Sequence, residues 1–407
     1  VLPGVIDSQV HFREPGLEGK ETLESGMLAA ASGGVTSIFE MPNTNPLTIT
    51  PETIEDKLNR ASKGAWTDYA FYLGGTMRTS SNLSEWENLR GVCGIKIFMG
   101  VSTGTLLVSD KVALEKIFTE TAGLIAVHAE DEDRMNERRK LVEGRTDVAA
   151  HAYYRDDITA LLATKLSVEL AIKTGHRLHI LHLTSGIEAD YLADYCTLPS
   201  KAEQHPIITT EVLPQHLTFD ETDVDEQGVR LQMNPPIRYA ADRDILWTRL
   251  RDGTIQCIAT DHAPHTLEDK AKGFPKAPSG MPGVETSLPV MLTNVNDGMC
   301  SLEDVVRWMS TDVADCYQMI GKGKLEVGYD GDIVLVDMAA KAVVEDKNSW
   351  TRVGWNPFRG RELTGWPVLT VVDGIPVFER SPVTGQKGRL LVEPGSVGKP
   401  IVMNPWN

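Results

Sequence analysis

Cysteine is scarce in this sequence, and the few cysteines are dispersed. The set is odd in number and consists of Cys93, Cys196, Cys257, Cys300 and Cys316, with no close pair among them. Such a set is not typical of a secreted protein held together by disulfides. We therefore expect free thiols and a cytoplasmic protein.

Long apolar runs and surplus positive charge are also lacking. No run approaches the ~20 apolar residues that cross a bilayer, and no signal peptide is evident. The formal net charge of −17 disfavours a nucleic acid or an anionic membrane as the partner, because phosphates would be repelled. A small-molecule substrate is compatible with this charge, even an anionic one, since a few local arginines can override the average field.

Eight apolar, β-branched segments alternate with longer segments of helical periodicity. The predicted strands cover residues 4–12, 34–41, 68–75, 94–100, 124–130, 177–184, 206–214 and 254–263. Helical crossovers connect parallel strands, and eight parallel strands are the number that closes a barrel. The pattern favours an α/β fold of the (β/α)₈ TIM-type barrel class, although strand counting leaves an open doubly wound sheet as the alternative. No G-x-G-x-x-G or Walker sequence follows a strand, which disfavours nucleotide binding.

The character of the sequence changes near residue 325. The segments "GDIVLVDMAAKAVVEDK" and "WPVLTVVDGIPVFE" consist of short strand-like runs joined by polar turns. We predict a barrel domain over 1–325 and a small β-rich accessory region over 326–407 that ends in an extended tail. Because an isolated sheet would leave bare edges, we expect the other chain end, including residues before Val1, to supply partner strands.

Polar residues interrupt the predicted strands at or near their C-terminal ends. They are His11, Lys96, His128, His182 and Asp261. A lone histidine on an apolar strand is more often a core residue than a ligand. Active sites of barrels lie at the C-terminal ends of the strands, so these five side chains are expected to converge on one mouth. Imidazole and carboxylate groups suit zinc and similar divalent ions, which predicts a metal site.

Lys96 is the unusual member of this set. An ammonium group cannot bind a cation, and burying one without a partner is costly. We therefore predict that Lys96 is paired, neutral or carboxylated by CO₂, which would convert it into an acidic metal ligand. A buried ion pair with an aspartate is the alternative.

The remaining histidines are interpreted as structural. Strand alternation predicts that His179 faces away from His182 and packs against the helices. The others are predicted to be structural or exposed: His151, His176, His205 and His216. Segment 101–110 follows the fourth strand and is either a lid over the substrate or a plain connector.

A series of motifs then follows the order found in one enzyme family. They include "PGVIDSQVHFREPG", "GGVTSIFEMPNT", "GIKIFMG", "VHAED", "LHLTS", "NPPIR", "ATDHAPH" and "GMPGVETSLP". Over nearly the whole chain the sequence resembles the dihydroorotases of the amidohydrolase superfamily. The related allantoinases and hydantoinases share the metal framework but usually lack the Arg of "HFREPG" and the "MPNT" segment.

The resemblance implies a reversible, zinc-dependent hydrolysis of dihydroorotate to N-carbamoyl-L-aspartate, a step of pyrimidine biosynthesis. Carboxylated Lys96 would bridge two metals, His128 and His182 would hold one, and His11 and Asp261 would hold the other. Asp261 would also be the general acid and base. The implied substrate contacts are Arg13, Asn43 and His265 for the carboxylate, and Asn234, Pro282 and Gly283 for the ring amide.

Gln9 departs from the family pattern, which usually has histidine at this position. An amide oxygen is a weaker zinc ligand than imidazole, so the metal at His11 and Asp261 should be weakened or lost. Three hypotheses follow: one tight zinc, two zincs with one weak site, or a degenerate homologue that serves as a structural partner of aspartate transcarbamoylase. The presence of Arg13 and Asn43 favours activity, because a scaffold needs no substrate clamp. A hydrolase of another cyclic ureide, of the allantoinase or hydantoinase type, is the further alternative. We also expect a homo-oligomer.

Overall fold

The computed structural model describes residues 1–101, 106–203, 207–381 and 387–405. His205 and residues 102–105, which belong to the predicted lid or connector, lie outside the described residues. Among the described helices, none has the length and hydropathy needed to span a bilayer.

Eight parallel strands form the barrel, as the sequence predicts. Each strand pairs with the next one along the chain. A parallel bridge between Val10 and His262, with the His11 N–H donating to the His262 carbonyl at 2.7 Å, connects the last strand to the first. The strands are β2 (Val5–Val10), β3 (Val35–Glu40), β4 (Asp68–Gly74), β5 (Val92–Phe98), β6 (Ile125–His128), β7 (Leu178–Ile180), β8 (Ile208–Val212) and β9 (Cys257–Ile258).

Helices occupy the segments between and after the strands. They are α1 (Leu23–Ser32), α2 (Pro51–Gly64), α3 (Leu83–Trp86), α4 (Lys111–Glu120), α5 (Glu132–Arg139), α6 (Ala149–Tyr154), α7 (Asp157–Thr174), α8 (Gly186–Leu192), α9 (Pro214–Thr218), α10 (Glu221–Gln227), α11 (Ala240–Arg251), α12 (Leu267–Lys270), α13 (Ser287–Asn296), α14 (Leu302–Val306) and α15 (Asp312–Cys316). A π-helical turn, Arg307–Thr311, joins α14 to α15. Short 3₁₀ turns cover Ser80–Asn82, Lys140–Val142, Pro199–Lys201, Gly228–Leu231 and Asp346–Asn348.

The longest helix shows how local sequence sets these boundaries. Asp156 precedes α7, and its carboxylate accepts a hydrogen bond from the backbone N–H of Thr159 at 3.0 Å. This contact satisfies one of the unpaired donors at the start of the helix. Gly175 follows the last turn with a φ of 70°, a left-handed conformation that glycine adopts without a steric penalty.

The barrel interior is packed with side chains. Ile6, Phe39 and Tyr72 come from successive strands and belong to one apolar cluster, in which the Phe39 and Tyr72 rings contact Tyr317, the residue after α15. The Tyr72 and Tyr317 hydroxyls lie 2.6 Å apart. The opposite faces of the strands pack against the helices in a larger apolar cluster. This packed core supports the strand ends that carry the polar residues.

A second, antiparallel sheet combines both chain ends, as the sequence predicts. Its order is β1 (Leu2–Pro3), β10 (Ile333–Val343), β11 (Glu362–Val372), β12 (Ile375–Glu379) and β13 (Arg389–Leu390). Leu2 pairs with Val334, so this chain itself supplies one of the expected partner strands. The domain boundary at residue 325 stays a prediction.

Gly4 joins the two sheets, since it lies between β1 and β2. Its N–H donates to the Asp332 carbonyl at 2.9 Å, and its carbonyl accepts from the Ser310 hydroxyl at 2.9 Å. A Cβ at this position would lie only 2.1 Å from Thr36 Oγ1. Only glycine therefore allows the first strand to run directly from the accessory sheet into the barrel.

Lys322 lies at the centre of a buried ion cluster between the barrel and the accessory sheet. Its Nζ is 2.6 Å from Asp332 and 2.9 Å from Asp330, and it also contacts Asp68 at the start of β4. Burial opposes the charged ammonium, but Asp68 and Asp332 outweigh burial and raise the pKa of Lys322 above its ordinary value. The lysine therefore stays charged and holds the two sheets together.

Three carboxylates of this region lie close enough together to hold a metal ion: Asp68, Asp330 and Asp373. Lys322 contacts the first two. Lys399 Nζ lies 2.7 Å from Asp373 and 3.3 Å from Asp330. Because two ammonium groups already neutralise these carboxylates, we interpret the group as structural.

Replacing Lys322 with methionine is expected to lower the free energy of unfolding by about 3–5 kcal/mol, because buried carboxylates would lose their counter-charge. Urea denaturation measures the loss. Lys324→Met is the matched control, since Lys324 is exposed, and it should change the free energy by less than about 0.5 kcal/mol. Equal stabilities of the two variants would show that the cluster contributes nothing.

Candidate active site

Gln9 and His11 face the same carboxylate across the barrel mouth. Gln9 Nε2 donates to Asp261 Oδ1 at 3.2 Å, and His11 Nε2 lies 3.0 Å from the same oxygen. His11 Nδ1 donates to Asn43 Oδ1 at 2.7 Å. In the neutral imidazole, Nε2 therefore presents its lone pair to a carboxylate oxygen. Two acceptors this close need a proton or a cation between them.

His128 and His182 form a second pair of facing ligand atoms. His128 Nδ1 lies 3.0 Å from His182 Nε2, with the two rings nearly perpendicular. Burial lowers the pKa of both imidazoles, and for His182 the neighbouring His128 and Lys96 lower it further. Both rings are therefore neutral near neutral pH, which is the form that binds a metal.

Glu130 fixes the orientation of His128. His128 Nε2 donates to Glu130 Oε2 at 2.8 Å, and Arg155 contacts the same carboxylate. Burial alone would raise the pKa of Glu130, but Arg155 and His128 outweigh it and lower the pKa to about 2. The Glu130 carboxylate thus fixes the hydrogen of His128 on Nε2. His128 Nδ1, which faces His182, is left without a hydrogen, as in many metal-binding histidines. Sequence reasoning missed Glu130, although it stands in the "VHAED" motif.

Lys96 lies on β5 with only 1% of its surface exposed. Its Nζ has no hydrogen-bond partner among the described residues and lies 4.4 Å from the centre of the Phe98 ring. The alternative of an ion pair with an aspartate is therefore not realised. Burial lowers the pKa of Lys96 to about 7, although Asp261 and Glu211 favour its charged form.

A small void lies between these groups, with a volume of about 10 Å³. Its lining includes Gln9, His11, His128, His182 and Asp261. Gln9 Oε1 and Lys96 Nζ are buried and have no hydrogen-bond partner among the described residues, although Lys96 itself is not part of the lining of the void. An unsatisfied buried polar group costs about 1–3 kcal/mol. Each facing pair offers nitrogen or oxygen donors of the kind that suit a divalent metal ion. Among the described residues, however, three or more ligand atoms come within 4.8 Å of one another at Asp68, Asp330 and Asp373 and not at these two pairs.

The backbone is also strained at three of the residues predicted for the site. Arg13, His182 and Asp261 have φ values of 67°, 37° and 47°, in the left-handed region that non-glycine residues rarely adopt. Two other non-glycine residues in the described chain share positive φ. Strain of this type concentrates at functional sites, where it aims side chains that regular strands would direct elsewhere.

Arg13 and His265 lie together near the mouth of the barrel, but neither is part of the lining of the void. Arg13 is 4% exposed, donates from Nε to the Pro264 carbonyl at 3.2 Å, and has its NH2 nitrogen 3.2 Å from His265 Nε2. No carboxylate of the described residues lies within ion-pair distance of Arg13. Burial lowers the pKa of Arg13 to about 10, so the guanidinium is still charged at neutral pH.

His265 is neutral in this environment. Its Nε2 donates to the Ser279 carbonyl at 3.0 Å, while its Nδ1 accepts from Lys20 Nζ at 2.9 Å. Burial, together with the positive charges of Arg13 and Lys20, lowers the pKa of His265 far below its ordinary value. Arg13 and Lys20, which both contact the neutral His265, thus form a cationic wall.

Of the three residues predicted to bind the ring amide, the structure places one at the void and two away from its lining. Asn234 lines the void, and its Oδ1 accepts from His151 Nε2 at 2.9 Å. The Gly283 N–H donates instead to His262 Nδ1 at 3.1 Å. Among the described residues, Pro282 and Gly283 are not part of the lining of the void.

The prediction for His179 was wrong. The residue lies inside the barrel, where its nitrogens lie 2.7 Å from Thr209 Oγ1 and 3.2 Å from Glu211 Oε2 and its ring contacts Tyr317. Strand β7 ends at Ile180, so strand alternation does not extend to His182. Of the other histidines predicted to be structural or exposed, the three described ones are all buried: His151, His176 and His216.

A larger chamber of about 790 Å³ opens next to the void. The two cavities share Asn234 and Ser279 in their linings. Arg139, Lys140 and Lys276 line the chamber, and none of them forms an ion pair with another described residue. The chamber therefore gives a positively charged approach to the void, in contrast to the net negative charge of the whole chain.

A sequence profile of the Amidohydrolase family matches residues 1–377. The chain belongs to the amidohydrolase family. This amidohydrolase is 34% identical over 394 residues to a dihydroorotase of Halobacterium salinarum, covering 96% of this chain and 89% of the relative. It is 33% identical over 392 residues to a dihydroorotase of Methanosarcina mazei, covering 95% and 86%.

Among solved structures, an L-hydantoinase (dihydropyrimidinase) from Arthrobacter aurescens has the same fold. The TM-score is 0.90 at 31% sequence identity, and the match covers 98% of this chain and 88% of the hydantoinase. The resemblance to amidohydrolases and the TIM-type barrel expected from the sequence are therefore both confirmed.

Proposed function

We propose that this amidohydrolase is a zinc-dependent cyclic amide hydrolase that interconverts dihydroorotate and N-carbamoyl-L-aspartate in pyrimidine biosynthesis. One observation carries the choice of substrate: the buried Arg13, two residues after His11, has no carboxylate within ion-pair distance among the described residues. Burying an uncompensated charge is costly, and a planar guanidinium matches a carboxylate through two parallel hydrogen bonds. The carboxylate of dihydroorotate would supply the missing partner.

The facing donor pairs would hold the metal. His128 and His182, with carboxylated Lys96, would form the tight site, and His11 and Asp261 would form the weaker one. A divalent ion supplies hydroxide at neutral pH by lowering the pKa of water from about 15.7 to about 7. We propose one or two zinc ions per chain.

The environment of Lys96 supports carboxylation. A neutral amine is the form that reacts with CO₂, and burial brings the pKa of Lys96 to about 7. The nitrogen forms a bond to the CO₂ carbon and releases one proton to solvent, which leaves an anionic carbamate. The product carries the negative charge that a metal ligand needs at this position.

The other residues would bind the substrate and move protons. Arg13, with Asn43 and His265 nearby, would hold the carboxylate, and Asn234 would meet the ring amide. Asp261 would accept the proton released as the carbonyl is attacked and deliver it to the departing nitrogen. Ring closure would run through the same steps in reverse, starting with protonated Asp261.

Two alternatives remain open to test. The similarity to an L-hydantoinase favours a hydrolase of another cyclic ureide. The amide of Gln9 in place of a histidine favours a structural partner of aspartate transcarbamoylase without activity of its own. We further propose that the protein acts on its small-molecule substrate as a cytoplasmic homo-oligomer.

Turnover of three substrates separates these functions. Loss of dihydroorotate, hydantoin and allantoin is followed spectrophotometrically with protein purified without chelators, and metal content is measured by mass spectrometry. We expect dihydroorotate to be preferred and one to two zinc equivalents per chain. Preference for hydantoin or allantoin would contradict the substrate assignment. A metal-free preparation that cannot be reloaded would support the structural partner.

Gln9→His is expected to tighten zinc binding at the His11–Asp261 site by about tenfold or more, which is about 1.4 kcal/mol. Activity should stay equal or rise. Imidazole is a better zinc ligand than an amide oxygen, and the Gln9 amide already faces Asp261. Competition with a chromophoric chelator measures both zinc affinities. Gln9→Leu is the control, because it removes the amide without adding a ligand, and should not tighten the site.

A further inference from the structure

Glu40 and Lys57 form a buried ion pair beside the segment that carries Arg13. Glu40 is the last residue of β3 and is 1% exposed, and Lys57 lies on α2 with its side chain completely buried. Lys57 Nζ lies 3.5 Å from Glu40 Oε1, and each charge compensates the other where one alone would be costly. Neither residue is part of the lining of the void or of the chamber. Any effect of the pair on the site therefore passes through the residues that it contacts.

Glu40 continues the pairing of β2 and β3 beyond the end of the ladder. Val10 is the last residue of β2 and pairs with Glu40 on β3. Two residues further on, the Phe12 N–H donates to Glu40 Oε2 at 2.8 Å, so a side-chain carboxylate replaces a strand carbonyl as the acceptor. Phe12 is completely buried, and buried backbone N–H groups need such a partner. The contact therefore fixes the backbone between His11 and Arg13.

Arg13 depends on this contact because its own backbone is strained. Its φ of 67° lies in the left-handed region, and such a conformation persists in a non-glycine residue only where the surrounding structure enforces it. Phe12 stands directly before this turn, so its hydrogen bond to Glu40 fixes the direction in which the chain enters the turn. Without the acceptor the turn could relax, and the Arg13 guanidinium would then point elsewhere.

Lys57 holds the end of the neighbouring strand. Besides its ion pair, it donates at 2.9 Å to the carbonyl of Met41, the residue that follows β3. The Met41 N–H in turn donates to the Val10 carbonyl at 2.9 Å. The ends of both strands are thus connected to one buried ion pair and to each other. Arg13 follows the end of β2 and Asn43 follows the end of β3, and both are assigned to the substrate carboxylate.

We infer that Glu40 and Lys57 are positioning residues, which hold Arg13 in the orientation that binds the carboxylate of the substrate. The inference rests on the proposed function, because that function assigns Arg13 to the substrate carboxylate. Burial lowers the pKa of Arg13, and Glu40 is the carboxylate that opposes this effect most strongly. Glu40 thus keeps the guanidinium charged as well as in place.

Two double variants separate the position of Arg13 from charge and stability. The leucine variant, Glu40→Leu with Lys57→Met, replaces the ion pair with apolar side chains of similar size, a change that buried ion pairs often tolerate. It leaves the Phe12 N–H without an acceptor. The glutamine variant, Glu40→Gln with Lys57→Met, removes the same charges but keeps a side-chain oxygen for Phe12. Glu40→Met with Lys57→Met replaces the leucine variant in the same comparisons if that variant does not fold.

Dissociation constants for orotate and uracil, measured by calorimetry, report how well Arg13 is placed. Both are planar, unsaturated analogues of the substrate ring, and of the two only orotate carries the carboxylate. The preference for orotate over uracil should fall about tenfold in the leucine variant, because a charge-assisted hydrogen bond is misaligned. In the glutamine variant it should stay within about threefold of the wild-type preference. An equal preference in the two variants would overturn the inference.

Crystal structures of the two variants test the inference without any ligand. The Arg13 guanidinium should be displaced in the leucine variant, whereas in the glutamine variant it should keep its contact with the Pro264 carbonyl. Zinc content should be the same in both, because the His11 N–H is held separately by the His262 carbonyl at 2.7 Å. An unmoved Arg13 in the leucine variant would overturn the inference. If the wild-type protein binds orotate no better than uracil, the proposed function fails, and the crystallographic comparison still decides whether the ion pair positions Arg13.

Discussion

Replacing Lys96 with methionine is expected to abolish zinc binding at the tight site and to reduce turnover by about 10³-fold or more. Methionine fills similar space but cannot take up CO₂, so the site would lose its acidic ligand. Metal catalysis contributes several kcal/mol to the stabilisation of the transition state, and each 1.36 kcal/mol is about tenfold in rate. Zinc content by mass spectrometry and the intact mass of the chain, with and without added bicarbonate, measure the two effects.

Lys270 provides a matched control for this prediction. It is also a buried lysine, and burial lowers its pKa to about 7. Its Nζ donates at 3.0 Å to two backbone carbonyls, those of Gln232 and Pro278, so it has partners that Lys96 lacks. Lys270→Met should keep its zinc. A Lys96→Met protein with full zinc content would refute the assignment of Lys96 as a ligand.

Replacing Arg13 with methionine is expected to lower kcat/KM for dihydroorotate by about 10²–10⁴-fold. Two charge-assisted hydrogen bonds to the substrate carboxylate would be lost, each worth about 1.5–3 kcal/mol. Hydantoin carries no carboxylate, so any turnover of hydantoin should change by less than about threefold. Zinc content should not change. Steady-state kinetics with both substrates measure the difference.

Lys20→Met is the control for Arg13. Lys20 belongs to the same cationic wall through His265 and forms an ion pair with Asp269 at 3.4 Å. Its loss weakens the local field without removing the planar guanidinium, so kcat/KM for dihydroorotate should fall by less than about tenfold. Equal effects of the two variants would show that charge alone, and not the geometry of Arg13, selects the substrate.

The eight barrel strands could be predicted because apolar periodicity repeats between helical segments. The same periodicity marked Lys96 and His128 as polar exceptions. The structure places His128 in the lining of the void and Lys96 on β5, two residues before the strand ends. His179 was assigned to the wrong face because β7 ends at Ile180. Periodicity does not reveal where a strand stops.

Glu130 and His151 could not be recognised from the sequence alone. Glu130 acts on His128 from two residues away, where an acidic run resembles a solvated surface. His151 meets Asn234 across 83 positions of the chain. Contacts of that kind depend on how distant segments pack, and no local pattern in the sequence reports them.

The passage of one extended segment through Gly4 has a mechanical consequence. Residues 2–10 are shared between two sheets, with Leu2 anchored to Val334 and Gln9 placed against Asp261. A shift of the accessory sheet would therefore displace the first barrel strand as well, because one extended segment belongs to both sheets. We expect a distortion of the accessory sheet to move His11 directly, since no loop separates the two sheets along this segment.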